Sequence, residues 1–123
     1  MSDEEDDTLR MIVQVRTETF WGTEEELDLR IRIGELLERV FEQVGSGYFD
    51  GGDSGSHSMN LFCYGNKPDD WDEAFDLTLA GLRQSDLLQD NMVIVKSIPI
   101  HDSDDQEHCV VWPPDFKGEF SIF

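Results

Sequence analysis

The sequence predicts an α+β domain whose elements follow the order βαββαβ, and three features of the chain carry that prediction. Met11, Val13 and Val15 alternate with period two, and the runs Ser58–Tyr64 and Asn91–Ile100 are apolar enough to be further strands. Two other segments repeat apolar residues every three or four positions, as a helix with one buried side requires. Between these two helical segments lies GSGYFDGGDSGSHSMNLFCYG, Gly45 to Gly65, which holds both tyrosines and most of the glycines and passes from a glycine-rich turn into the second of these strands.

Met1 to Asp7 carries five carboxylates and nothing apolar after Met1, so residues 1–8 are expected to form a disordered acidic tail. The first strand is predicted over Leu9–Thr19. Thr23-Glu24-Glu25-Glu26 then fits a capping box, with Thr23 as N-cap and Glu26 three positions on. The residues after the box read two ways. Leu27, Leu29, Ile31 and Ile33 alternate as in a strand, whereas Leu29, Ile33, Leu36, Leu37, Val40, Phe41 and Val44 keep helical spacing. The helical set is longer and stops at Gly45, a residue suited to ending a helix. A helix is therefore predicted from about Glu25 to Val44, with residues 25–33 open to either form.

The glycine-rich stretch can follow tight or left-handed backbone that other residues resist. It makes either a ligand-binding loop or simply a sharp hairpin, leading into the strand Ser58–Tyr64. Asn66 to Asp70 opens a second helix running to about Gln84, with Pro68 near its first turn. Asp69, Asp70, Asp72 and Glu73 suit the positive end of its dipole. Trp71, Phe75, Leu79 and Leu82, spaced by four, four and three, form its predicted apolar face. Asn91–Ile100 is the next strand, and Pro99 ends its ladder or sets it at an edge. His101–His108, with four carboxylates, reads as a solvated loop, and Cys109–Trp112 as a short last strand. This order is that of the ferredoxin-like split βαβ arrangement, an antiparallel sheet with both helices on one face. The single domain spans residues 9–112, and Pro113–Phe123, with three Phe, is a C-terminal aromatic tail.

The chain has 123 residues, 38% of them hydrophobic, with eight Phe and three Trp, enough for one core. Its formal net charge is −19. Such a charge opposes contact with nucleic-acid phosphates or anionic lipid, both of which need cationic side chains. A basic protein partner is the natural complement. No apolar run approaches the roughly 20 residues of a membrane helix. MSDEEDD also lacks the basic start of a secretory signal, so a cytoplasmic location is expected. Cys63 and Cys109 form no Cys-x-x-Cys pair and are expected to be reduced thiols, with Cys63 a small core residue.

Candidate chemistry is thin. A dinucleotide or phosphate site needs a helix opening directly after its glycines. Here a helix ends before them, Asp50 stands where the third glycine belongs, and Asp53 would repel an anion. Asp50, Asp53 and His57 lack the alternating oxygen ligands of a calcium loop, and His101, His108 and Cys109 have no structural-zinc spacing. A serine nucleophile would draw on Ser54, Ser56 or Ser58 beside His57, without the G-x-S-x-G elbow. The reading is therefore non-enzymatic, with no cofactor and no metal.

Gly45, Gly47, Asp50, Gly51, Gly55, Asn60, Phe62, Tyr64 and Gly65 match a G-x-G-x-x-D-G turn followed by an apolar strand. In this the chain resembles small, poorly characterised bacterial proteins, and the resemblance, over about the middle half of the chain, implies a fold of this kind and no catalytic residue. The expected function is an acidic bacterial interaction protein, for example an immunity or inhibitor protein binding a basic partner surface. Its binding residues would be Asp69, Asp70, Asp72 and Glu73, together with Asp50 and Asp53. The alternative is a small-ligand sensing domain with the Gly45–Gly55 loop at its pocket, an expectation from fold analogy.

Overall fold

The computed structural model describes residues 8–45, 47–65, 71–89, 91–99 and 106–114. In chain order these form β1 (Thr8–Arg16), α1 (Glu24–Val44), β2 (Tyr48–Gly55), β3 (Ser58–Gly65), α2 (Trp71–Gln84), β4 (Met92–Pro99) and β5 (Gln106–Trp112). The five strands make one antiparallel sheet in the order β2-β3-β1-β4-β5. The fold is α+β.

Local chemistry sets the helix ends. The Thr23 hydroxyl accepts the Glu26 N–H, and the Glu26 carboxylate accepts the Thr23 N–H, closing the capping box. Gly45 ends α1 in the left-handed region (φ 85°) and donates its N–H to the Phe41 carbonyl. Residues 25–33 are helical, so the longer of the two periodicities prevails.

Both helices cover one face of the sheet. Their buried side chains, among them Ile33, Leu37, Val40 and Leu82, meet Met11, Val13 and Val15 of β1, Met59, Leu61 and Cys63 of β3, and Met92 and Ile94 of β4. The other face is also buried at its centre, through Ile12, Val93 and Val95. Burial on both faces explains the almost unbroken apolar run Met11–Val15 of β1, which sits in the middle of the sheet. The interruption, Gln14, is part of a polar row across three strands. Its Nε2 donates to Asn60 Oδ1, and Asn60 Nδ2 donates to Asp53 Oδ1. These residues are register partners, Gln14 with Asn60 and Asn60 with Asp53. A one-residue slip would turn the amides into the methionine and valine core, so the row fixes the register.

Several sequence expectations shift. Thr8 belongs to β1, and the rest of the predicted tail, residues 1–7, lies outside the described residues. β1 ends at Arg16, short of Thr19: Thr17 still gives its N–H to the His57 carbonyl, but its hydroxyl donates to the Thr19 carbonyl as the chain turns toward α1. The fully buried positions of α2 are Ala74, Thr78 and Leu82, while Trp71, Phe75 and Leu79 are half-buried. Small side chains let the helices approach, and a Cβ on Gly81 would lie 2.6 Å from Leu36 Cδ1. The last strand begins at Gln106, so 106–108 are extended rather than looped. The start of the predicted second helix, 66–70, and the aromatic tail beyond Pro114 lie outside the described residues.

Candidate functional site

The glycine-rich stretch is mostly a strand. Tyr48–Gly55 pairs with β3, and Ser56 and His57 make the hairpin turn at φ 53° and 65°. The pairing breaks between Phe49 and Gly52, where Gly51 adopts φ 82°. Gly52 is needed for a different reason: a Cβ there would overlap the Asn60 carbonyl oxygen. β2 is thereby held close to β3, with its outer side turned to α1.

Between α1 and β2 runs a groove of about 370 Å³, open to solvent. Leu27, Ile31, Gly34 and Glu38 repeat along one side of α1, and Phe49, Gly51 and Gly52 line the other wall. Gly34 permits the close fit, since a Cβ there would lie 3.0 Å from Phe49 Cε2. Arg30 spans the groove, its Nη2 donating to the Gly52 carbonyl at 2.6 Å and its Nη1 to Ser54 Oγ at 3.0 Å. Leu27 is 38% exposed and Ile31 62%. Next to them, in the turn between β1 and α1, Phe20 and Trp21 meet edge to face at 4.8 Å and are 46% and 65% exposed. Among the described residues, four of the five exposed large apolar side chains thus come from residues 20–31.

The predicted binding residues are dispersed. Asp72 and Glu73 are exposed in the first turn of α2, and Asp50 is exposed on β2. Asp53 is half-buried and already accepts from Asn60. Asp69 and Asp70 lie outside the described residues. Further exposed acids stand on the outer side of α1 at Glu24, Glu25, Glu35, Glu38 and Glu42. Asp28 is held by Arg32 at 3.1 Å.

The polar groups near the turn are committed to structure. The Glu26 carboxylate accepts the Glu18 N–H at 3.0 Å as well as that of Thr23, so it ties the turn to the helix. The Ser58 hydroxyl donates to the Gly55 carbonyl, and Ser54 accepts from Arg30. His57 lies edge-on to Phe20 at 5.9 Å. Among the described residues, no three His, Cys, Asp or Glu side chains converge as metal ligands would.

Cys63 is completely buried, as its apolar strand predicts, and burial pushes its thiol pKa far above the ordinary value of 9.0. Cys109 is half-buried on β5. Cys63, Met11, Lys96 and Cys109 form one row across four strands. Three strand spacings of about 4.8 Å put the two cysteines far beyond disulfide reach. Because the thiolate is the nucleophile, iodoacetamide is expected to label Cys109 in the native protein and Cys63 only on unfolding. A pH effect comes from the same burial. Below pH 9.0 both folded and unfolded chains keep the Cys63 proton; above it only the unfolded chain releases it. The wild type is therefore expected to lose stability relative to Cys63→Ala by about 1.4 kcal/mol per pH unit above that point. Urea titrations at successive pH values check this, and a constant difference would contradict it.

No protein-family model, curated protein or solved structure matches the chain. Among the described residues no helix is long and apolar enough to cross a membrane.

Proposed function

We propose that this chain is a non-enzymatic acidic interaction domain that binds a basic protein surface, in the manner of an immunity or inhibitor protein. The observation that carries the reading is the charge of −19 together with exposed acids on the outer sides of both helices. Complementary charge accelerates encounter and rejects acidic competitors. The strand order β4-β1-β3-β2 over the first four strands supports a ferredoxin-like scaffold, with β5 added beside β4. A bacterial, cytoplasmic setting is part of the same proposal.

The test begins with a partner captured from native lysate at low salt. Its association rate with the pure protein is expected to fall on the order of tenfold as salt rises to physiological strength, since exposed charges are screened beyond roughly 8 Å there. Replacing Asp69, Asp70 and Asp72 with Asn and Glu73 with Gln is expected to slow association while leaving dissociation nearly unchanged. Surface plasmon resonance reads both rates. An association rate indifferent to salt and to these amides would overturn the proposal. A second reading, a small-ligand sensor, has one observation behind it: Gly51 and Gly52 line the groove beside α1. That function would depend on the glycines and hardly at all on the carboxylates.

A further inference from the structure

We propose that the partner docks on the strip formed by Trp21, Leu27, Ile31 and Phe49, inserting apolar side chains flanked by lysine or arginine into the groove between α1 and β2. This rests on the reading of the chain as a binder of basic protein surfaces, and adds where the contact is centred and what the partner must carry besides charge. Isolated exposed apolar residues are ordinary, whereas a contiguous patch marks an interaction surface. Leu27 and Ile31, one helical turn apart, line the groove with Phe49. The Trp21 ring lies at the end of β2, 3.3 Å from where a Cβ on Gly55 would stand, and a Cβ on Gly22, the next residue, would lie 3.6 Å from Leu27 Cδ2. None of the four is fully buried, and Trp21 and Ile31 are among the most exposed apolar side chains described.

The surroundings select the partner. Glu35 and Glu38 flank the groove, and Glu24 and Glu25 stand exposed at the start of α1. Of the cations on α1, Arg32 is engaged with Asp28 and Arg30 with β2. A second copy of the chain would bring another charge of −19 to this surface, so self-association is opposed where a basic segment is favoured. Strand addition is disfavoured as the mode of binding. Arg30 occupies the outward Gly52 carbonyl, and the ladder is irregular between Phe49 and Gly52. Side-chain insertion needs neither group.

Three synthetic peptides of equal length serve as probes: one of alternating lysine and leucine, one with the leucines replaced by serine, and one with the lysines replaced by glutamate. Binding is followed by amide and methyl chemical shifts of the full chain at low salt. The lysine–leucine peptide is expected to shift resonances of residues 20–35 and 49–52 and to bind about tenfold more tightly than the lysine–serine peptide, the factor of one interface anchor. The glutamate–leucine peptide is expected not to bind. Ile31→Ser, at a position 62% exposed, is expected to reduce lysine–leucine binding about tenfold with an unchanged melting temperature. If both lysine peptides bind equally, and Ile31→Ser binds like wild type, the docking strip is wrong while the charge-based reading survives. Shifts centred elsewhere have the same meaning. If no lysine peptide binds at low salt, both fail.

Discussion

Gly52→Ala is expected to lower stability by about 3 kcal/mol or more, a large effect for one methyl group. The added Cβ has nowhere to go. It would overlap the Asn60 backbone carbonyl, and that carbonyl belongs to the central part of β3, between β2 and β1. Relief requires β2 to separate from β3, which would strain the Asp53–Asn60–Gln14 row as well. The neighbour provides the control. Gly51 has φ 82° and nothing within 4 Å of a new Cβ, so Gly51→Ala meets only the left-handed backbone penalty, about 1 kcal/mol. For a domain of this size the two variants should differ in melting temperature by roughly 5 °C or more. Equal melting temperatures would show that the pairing of β2 with β3 gives way without cost.

Leu37→Ala is expected to cost about 3–4 kcal/mol, because it leaves a cavity where α1 meets the sheet. Leu37 is fully buried in the core beneath the helices. Ile31→Ala on the same helix removes a comparable side chain from a site 62% exposed and is expected to change stability by less than about 0.5 kcal/mol. Urea unfolding monitored by circular dichroism measures both. Comparable losses at the two positions would mean that α1 does not present these faces to core and solvent.

The contrast between Leu37 and Ile31 also bears on what the sequence could disclose. The capping box at Thr23 and the stop at Gly45 were legible because they are local: a hydroxyl, a carboxylate and a left-handed residue act within four positions. The core side of α1 was legible because its spacing stays in phase from Leu29 to Val44, about four turns. The doubtful residues, 25–33, were doubtful for a physical reason. Leu27 and Ile31 break the pattern of a single buried face, and the interleaving of Leu27, Leu29, Ile31 and Ile33 imitates a strand. In the fold these residues divide between two surfaces, Leu29 and Ile33 in the core and Leu27 and Ile31 along the groove. The apparent ambiguity was the signature of a second apolar face. On α2 the side chain sizes misled, since Trp71 and Phe75 stack on each other at 5.1 Å and stay half-buried while Ala74 and Thr78 occupy the tightest positions. The clustering of acids was plain in the sequence, but the groove that Glu35 and Glu38 line depends on how α1 lies against β2, which no local pattern encodes.

Arg30 has a consequence for the behaviour of the chain in concentrated solution. At low ionic strength the charge of −19 keeps molecules apart whatever their edges expose. Raising the salt shortens the range of that repulsion, and an unguarded edge strand then becomes a template for other copies. On β2 the Gly52 carbonyl is held within its own molecule by a short hydrogen bond from a guanidinium, and the ladder beside it is out of step. Protection of that kind depends on contact rather than on long-range charge. It persists at β2 in the salt concentrations that remove the repulsion, so the safeguard against fibrous growth along this edge is not the one that keeps the molecules apart in dilute buffer.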